Sequence, residues 1–378
     1  LPLGGGEEHD AGMPDPPRII IFGAGAIGAS VAYYLTKRGL APTLVERAEP
    51  GAAASGKSGG FLALDWNDGN PLGGLARASF ALHREIADEL GASTVGYRPM
   101  ETLSVAARAA GSVERYRRHP SPDWLDGNAV VHDIIGTPDT TAQIEPAKFT
   151  RGLVEAAVAR GASFVTGVVD GLDRDPDSGI VRGVSIDGEV RPADVVVLAL
   201  GPWTDRAQRW LALPQVVAMK SASITLQADL PAQAVFSEFV DEDGAFRQPE
   251  IYPREGGIVY VNGYGEPDPL PDDPRAIHPS VVATDALHRM AGAQSSVLAA
   301  AQVIDRRSCF RPVTVDGLPF IGPVNGAPGV YLAAGHASWG MLLAPATGRM
   351  VAEMIVDGAS QSVDATPFLP SRLPAARM

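Results

Sequence analysis

One cysteine stands in 378 residues: Cys309, inside the run RRSCFRPVTVDGLPFIG that starts at Arg306. Arg306, Arg307 and Arg311 surround it in the sequence. Guanidinium groups draw a thiol toward thiolate, the form that attacks electrophiles. Without such help the same thiol is a small buried hydrophobe. Arg311 offers chemistry of its own, because its planar fork matches a carboxylate through two parallel hydrogen bonds. Further on, His336 lies in GHASWG, between Gly335 and Gly340 and directly before an apolar run. If that run is a helix, its N-terminal turn carries partial positive charge that favours an anion. Tyr252, in IYPREGGIVYVNGYG, and Lys57, in GAAASGKSGG, are further polar groups in apolar or small-residue surroundings.

The spacing with the most specific meaning lies near the start. RIIIFGAGAIGASVAYYL holds Gly23, Gly25 and Gly28 in G-x-G-x-x-G order. Arg18 to Phe22 predicts a strand, Ala26 to Arg38 a helix stopped by Gly39, and PTLVE a second strand ending at Glu46. In that context the glycines let backbone, with Ala26 and Ile27, approach a pyrophosphate at a helix N-terminus. Glu46, next to Arg47, can accept hydrogen bonds from both ribose hydroxyls and would repel a 2′-phosphate. The pattern therefore predicts a dinucleotide site that disfavours NADP. The loop GAAASGKSGGFLALDW follows, where Ser55, Lys57, Ser58, Gly59 and Gly60 can turn backbone N–H groups toward a phosphate or a ring.

Other elements must position these groups. Apolar spacing predicts helices over 79–90 and 146–160. A hairpin leads into a buried strand over 194–200, broken by Gly201, with Trp203 just beyond. From Leu213 to about Gln302 the alternation is β-like, which predicts a second, mostly antiparallel domain. TDALHRMAGAQSSVLAAAQVI predicts one helix before Cys309. Strand 329–334, the turn Gly335–Gly340 and a helix over 342–356 close the pattern, with Pro345 tolerated in the helix's first turn.

Composition narrows the function. Lys+Arg 31 against Asp+Glu 44 leaves a net charge of -13, which repels nucleic acid and anionic membrane. A lone cysteine permits no internal disulfide, and the seven histidines lack ligand spacing, so no metal is expected. No apolar run reaches membrane-spanning length. Residues 1–12 read as a leader or added remnant ahead of Met13, and a reducing, cytoplasmic setting is expected.

Together these motifs resemble the D-amino-acid oxidase and glycine oxidase family of FAD-dependent amine oxidases, from about Arg18 to Gly358. FRPVTVDGLPFIGPV resembles the family's arginine–proline block, and GHASWGMLLAPATG its glycine–histidine turn with the following helix. GKSGGFLALDW and GHASWG look closest to a eukaryotic-type subgroup. The resemblance implies an α/β fold with a Rossmann-like FAD domain built from 13–95, 143–212 and 303–360. It implies an α+β substrate domain from 96–142 and 213–302 with a large, mostly antiparallel sheet, and a loose tail over 361–378. The implied reaction moves a hydride from the carbon bearing the amine of an amino acid, or of a related primary or secondary amine, to flavin N5. The imine then hydrolyses, and oxygen is reduced to hydrogen peroxide. Two other readings stay open: a flavin dehydrogenase with a different electron acceptor, and a flavoprotein with a trafficking or binding role. Oligomeric state is open too.

The resemblance also assigns residues. Arg311 aligns with the carboxylate-binding arginine. Gly335, His336, Ser338, Trp339, Gly340 and Met341 should face the flavin, with Trp339 walling the substrate pocket. Tyr252, Tyr260 and Tyr264 are candidates for the pocket tyrosine. Lys57 is placed on the oxygen side, Val168 or Val169 against adenine, and Gly201, Trp203 and Cys309 near the cofactor. In the related sarcosine and fructosyl amino-acid oxidases, a cysteine seven residues before an aspartate binds the flavin 8-position as a thioether. Cys309 has that spacing to Asp316. Glycine oxidase-like relatives have glycine there and bind FAD noncovalently, so both outcomes stand for Cys309.

Overall fold

Four consecutive apolar residues, Ile19–Phe22, are all buried. A strand that is apolar on both faces needs cover on both sides. In the computed structural model, which describes residues 16–376, this strand is central in a six-stranded sheet. The order is Phe320–Pro323, Val330–Ala334, Val195–Leu198, Ile19–Phe22, Thr43–Glu46, Ser163–Thr166. All neighbours are parallel except the outer pair Phe320–Pro323 and Val330–Ala334. The helix Ala26–Lys37 packs against both Gly340–Asp357 and Pro146–Ala159, and Gly73–Leu90 packs on Gly340–Asp357. Their apolar faces form one core with Ile21, Tyr33, Leu44, Phe149 and Leu342.

A second, eight-stranded sheet stands apart from the first. Its order is Gln302–Val313, Val217–Gln227, Ile258–Glu266, Glu250–Arg254, Gln233–Val240, Glu101–Arg108, Ala129–Gly136, with Phe246–Arg247 paired to Gln233–Val240. Only Gln233–Val240 and Glu101–Arg108 run parallel. The helix Val281–Gln294 covers one face through Leu287, Met290 and Ala291. An α/β fold with a parallel nucleotide-type sheet and a large antiparallel sheet is thus what the chain forms.

Several boundaries differ from the sequence expectation. The sequence expectation puts all of 303–360 in the nucleotide domain, yet Gln302–Val313 pairs along its whole length with Val217–Gln227 and is an edge strand of the second sheet. The helix expected before Cys309 is broken at Ser295, whose φ of -151° is extended and whose side chain caps a separate short helix, Ser296–Ala300. The helix expected from 79 begins at Gly73. The tail expected to be loose is packed as far as it is described: Phe368 is buried, and Arg372 pairs with Asp316 at 2.7 Å. The expected leader, 1–12, lies outside the described residues. Among the described residues, no helix is long and apolar enough to cross a membrane.

Candidate active site

A cavity of about 510 Å³ runs between the two sheets. One end is built by the fingerprint. Gly23, Gly25, Ala26, Ile27, Glu46 and Arg47 line it, with Val169, Gly201 and Trp203 across from them. Glu46 accepts the Ala24 N–H at 3.0 Å and the Ala48 N–H at 3.1 Å, which fixes its carboxylate beside the glycine turn. Ser55 Oγ accepts the Ala26 N–H at 2.9 Å and so fastens the small-residue loop to the helix N-terminus. Gly28 does not line the cavity. A Cβ there would sit 1.9 Å from the Gly23 carbonyl oxygen, so Gly28 lets the helix press against the turn.

No sequence signal marked the cover over this end. The Trp203 indole N–H donates to the Pro271 carbonyl at 2.8 Å. Arg47 donates to the Asp272 carbonyl, Arg206 pairs with the Asp272 carboxylate, and Pro274 joins the lining.

At the other end three elements converge. The antiparallel sheet presents Ser221, Phe236, Glu250, Tyr252, Tyr260, Asn262, Cys309 and Arg311. The loop after the fingerprint brings Ser58, Gly59, Gly60, Phe61 and Trp66. The turn before the last helix brings His336, Ser338, Trp339, Gly340 and Met341. Arg254 holds the first two together: largely buried over the Tyr260 ring at 4.7 Å, it donates to the Ser58 and Gly59 carbonyls at 2.9 and 3.1 Å. Gly59 is required at that contact, since a Cβ would lie 2.4 Å from the Tyr252 ring.

Arg311 is half-buried, and among the described residues its guanidinium has neither an ion-pair partner nor a hydrogen bond. Its charge reaches the Tyr252 hydroxyl and the Cys309 thiol. Burial, followed by Glu250, pushes the Tyr252 phenol well up, and burial takes Tyr260 up to about 12. Burial also raises the Cys309 thiol, against the opposing pull of Arg311 and Lys57.

Three expected residues lie off the cavity wall: Gly28, Lys57 and Gly335. Lys57 ends a short helix, Ala54–Lys57; burial lowers its ammonium, which feels Cys309, Arg307 and Asp305. Gly335 packs behind the turn, where a Cβ would meet the Thr314 methyl at 2.4 Å. Tyr264 also lies elsewhere, beneath the Arg247 guanidinium.

Residues 18–354 match the family described as FAD dependent oxidoreductase. The chain belongs to this family. It is 28% identical over 379 residues to a Schizosaccharomyces pombe protein that bears the name "Putative oxidoreductase", covering 93% of this chain and 97% of that one. It is 28% identical over 386 residues to a glycine oxidase of Pseudomonas aeruginosa, covering 94% and 98%. The crystal structure of glycine oxidase from Geobacillus kaustophilus has the same fold, with a TM-score of 0.76 at 24% identity over 95% of this chain and 99% of that one.

The oxidoreductase is FAD-dependent, and its cavity fits that group. The glycine turn leaves room that a Cβ would fill, since one at Gly25 would already stand 3.0 Å from Ser55 Oγ. Glu46 keeps acceptor capacity for ribose hydroxyls beyond its two backbone donors. The opposite end receives the N-terminus of the helix Gly340–Asp357, whose dipole favours negative charge.

That helix start is held in an unexpected way. Pro345 has no N–H to give the Met341 carbonyl, and the Ala346 N–H goes to Ser79 Oγ at 3.0 Å. Two helix carbonyls are thereby released. His83 Nε2 donates to both, to Met341 at 2.9 Å and Leu342 at 3.2 Å. His83 is the buried repair of a proline-broken turn, and the sequence offered Pro345 as its only hint. His336 is also buried, bonded through Nε2 to Thr347 Oγ1 at 3.0 Å. The turn between them is strained, with Ala337 at a φ of 48°.

Burial pulls His83 down to about 4 and His336 to about 3, from an ordinary value of 6.5. Both rings are therefore neutral at neutral pH, and the positive charge at this end comes from the helix N-terminus and Arg311. Below about pH 6.5 the unfolded chain takes up protons at these positions before the folded chain does. Stability should fall as pH drops toward 4, by up to about 1.4 kcal/mol per pH unit for each histidine. Melting curves between neutral and mildly acid pH test this. His83→Gln, which keeps an N–H donor, should flatten the slope, and an unaltered slope would contradict a buried neutral His83.

Proposed function

We propose that this FAD-dependent oxidoreductase oxidises an amino acid or a closely related carboxylated amine. The observation that carries the reading is Arg311, a guanidinium in the cavity wall with no protein partner among the described residues. An uncompensated charge away from bulk water is costly, and a substrate carboxylate supplies the missing partner.

In this reading Arg311 grips the carboxylate and orients the adjacent carbon. Phe61, Trp66, Phe236, Tyr252 and Trp339 exclude water around it. Bound FAD supplies the hydride acceptor and, when oxygen is the final oxidant, hydrogen peroxide. The amine enters neutral, so that its lone pair forms the C=N bond as the hydride leaves. Water then releases the carbonyl product and ammonia or a primary amine. The first-turn N–H groups of Gly340–Asp357 would hold the negative charge that develops at their end of the cavity.

Cys309 lines the same cavity, but burial favours its protonated form. A thiol is a poor nucleophile, which favours FAD held without a thioether. Acid precipitation should leave a colourless pellet with all flavin in solution, and a yellow pellet would establish the covalent link. The same preparation tests the reaction. Anaerobic mixing with D- and L-amino acids and N-alkyl glycines should bleach the flavin for at least one of them. Admitting air should restore the colour with one peroxide per substrate. Flavin that stays bleached in air would assign the electrons to another acceptor, and a panel without any bleaching would overturn the reading.

A further inference from the structure

We propose that Glu250 forms a subsite for a second, distal cation on the substrate, so that the preferred substrates are carboxylates with a positively charged nitrogen along the chain. The proposal rests on the reading of Arg311 as the carboxylate anchor.

Glu250 stands opposite Asn262 on one side and Phe236 on the other, and all three line the cavity from one face of the antiparallel sheet. Its carboxylate takes one side-chain hydrogen bond, from the Tyr252 hydroxyl at 2.6 Å. Among the described residues it enters no ion pair. A carboxylate in the cavity wall that accepts one hydrogen bond and enters no ion pair calls for a ligand group that donates hydrogen bonds and carries positive charge. An ammonium or guanidinium does both.

The surrounding walls suit the same group. The Phe236 ring stands 4.8 Å from both Phe61 and Trp66, and Phe61 stacks on Tyr252 at 5.7 Å. Aromatic faces attract a desolvated cation and also pack against the methylene stem that carries it.

Two arguments place this cation away from the reacting amine. The reacting nitrogen must be neutral to donate its lone pair, and a carboxylate against it would hold it protonated. The sheet register also sets the two residues on separate rows and strands. Arg311 pairs with Met219, whereas the row through Glu250 and Asn262 crosses Val217–Gln227 at Ser223. On a flat sheet that offset puts the Cα atoms of Arg311 and Glu250 about 20 Å apart. The two side chains reach toward each other, since Tyr252 feels the Arg311 charge and bonds to Glu250, and the gap that remains suits the two ends of one substrate better than two groups on one carbon.

The test uses the FAD-loaded protein and ligands without an α-amine, read by perturbation of the flavin absorbance. γ-Aminobutyrate, δ-aminovalerate and ε-aminohexanoate are each titrated against butyrate, valerate and hexanoate. At least one amino acid should bind about tenfold more tightly than the plain acid of its length, as a charge-assisted hydrogen bond allows. Glu250→Gln, which keeps shape and an acceptor for Tyr252, should bring that pair to within about twofold. Plain acids that bind as well as their amino counterparts, or a preference that survives Glu250→Gln, would overturn the proposal. Titration of the plain acids against Arg311→Met separates the two readings. If that substitution does not weaken them, the carboxylate anchor fails, whatever Glu250 does.

Discussion

Arg311→Met is expected to raise KM for carboxylate substrates by roughly thirtyfold to several thousandfold, equivalent to about 2–5 kcal/mol for a buried charge pair. Methionine keeps most of the volume of the arginine stem and removes only the charged fork. Flavin content and the absorbance spectrum should not change, because Arg311 bonds to no element of the fingerprint. Arg311→Lys should fall between the two, since a point charge replaces a fork that engages both carboxylate oxygens. The spread between Lys and Met reports how much of the effect is geometry and how much is charge. A KM that is the same in all three proteins would mean that Arg311 has no part in substrate binding.

Gly28→Val should yield protein without flavin. Any side chain at this position starts with a Cβ 1.9 Å from the Gly23 carbonyl oxygen. Backbone cannot turn aside as a side chain can, so the cost should exceed the about 1–3 kcal/mol usual for overpacking. Either the helix Ala26–Lys37 withdraws or the Gly23 turn is displaced. Both move Gly23, Gly25 and Ala26 out of the shape that a pyrophosphate needs. Gly39→Ala is the control at the other end of that helix. Its φ of 78° makes alanine strained, but nothing lies within 4 Å of the added Cβ. That variant should melt lower and keep its flavin. The ratio of flavin to protein absorbance separates the two cases, and even Gly28→Ala with full flavin content would contradict the close-approach argument.

The sequence by itself determined the parts whose chemistry is local. The glycine spacing and Glu46 lie within one strand–helix–strand unit, so their geometry follows from short-range rules of turns and helix ends. The glycine-framed His336 turn and the helix after it are legible for the same reason. Strand alternation after Leu213 announced an antiparallel sheet, but not which strand borders which. That choice belongs to the tertiary structure, because strand pairing is settled by long-range burial and register. It brings Gln302–Val313 beside Val217–Gln227 and so carries Arg311 and Cys309 into the second sheet. It sets Glu250 against Asn262, and places Arg254 where it can clamp the loop at Ser58 and Gly59. Side-chain reach across distant segments was equally hidden: Arg47 and Arg206 meet Asp272 only in the folded chain. His83 shows the limit most plainly. In sequence Pro345 reads as a tolerated first-turn proline; only the fold starts the helix at Gly340, leaves the Met341 carbonyl without the N–H of residue 345, and brings a histidine more than two hundred residues away to the Met341 and Leu342 carbonyls.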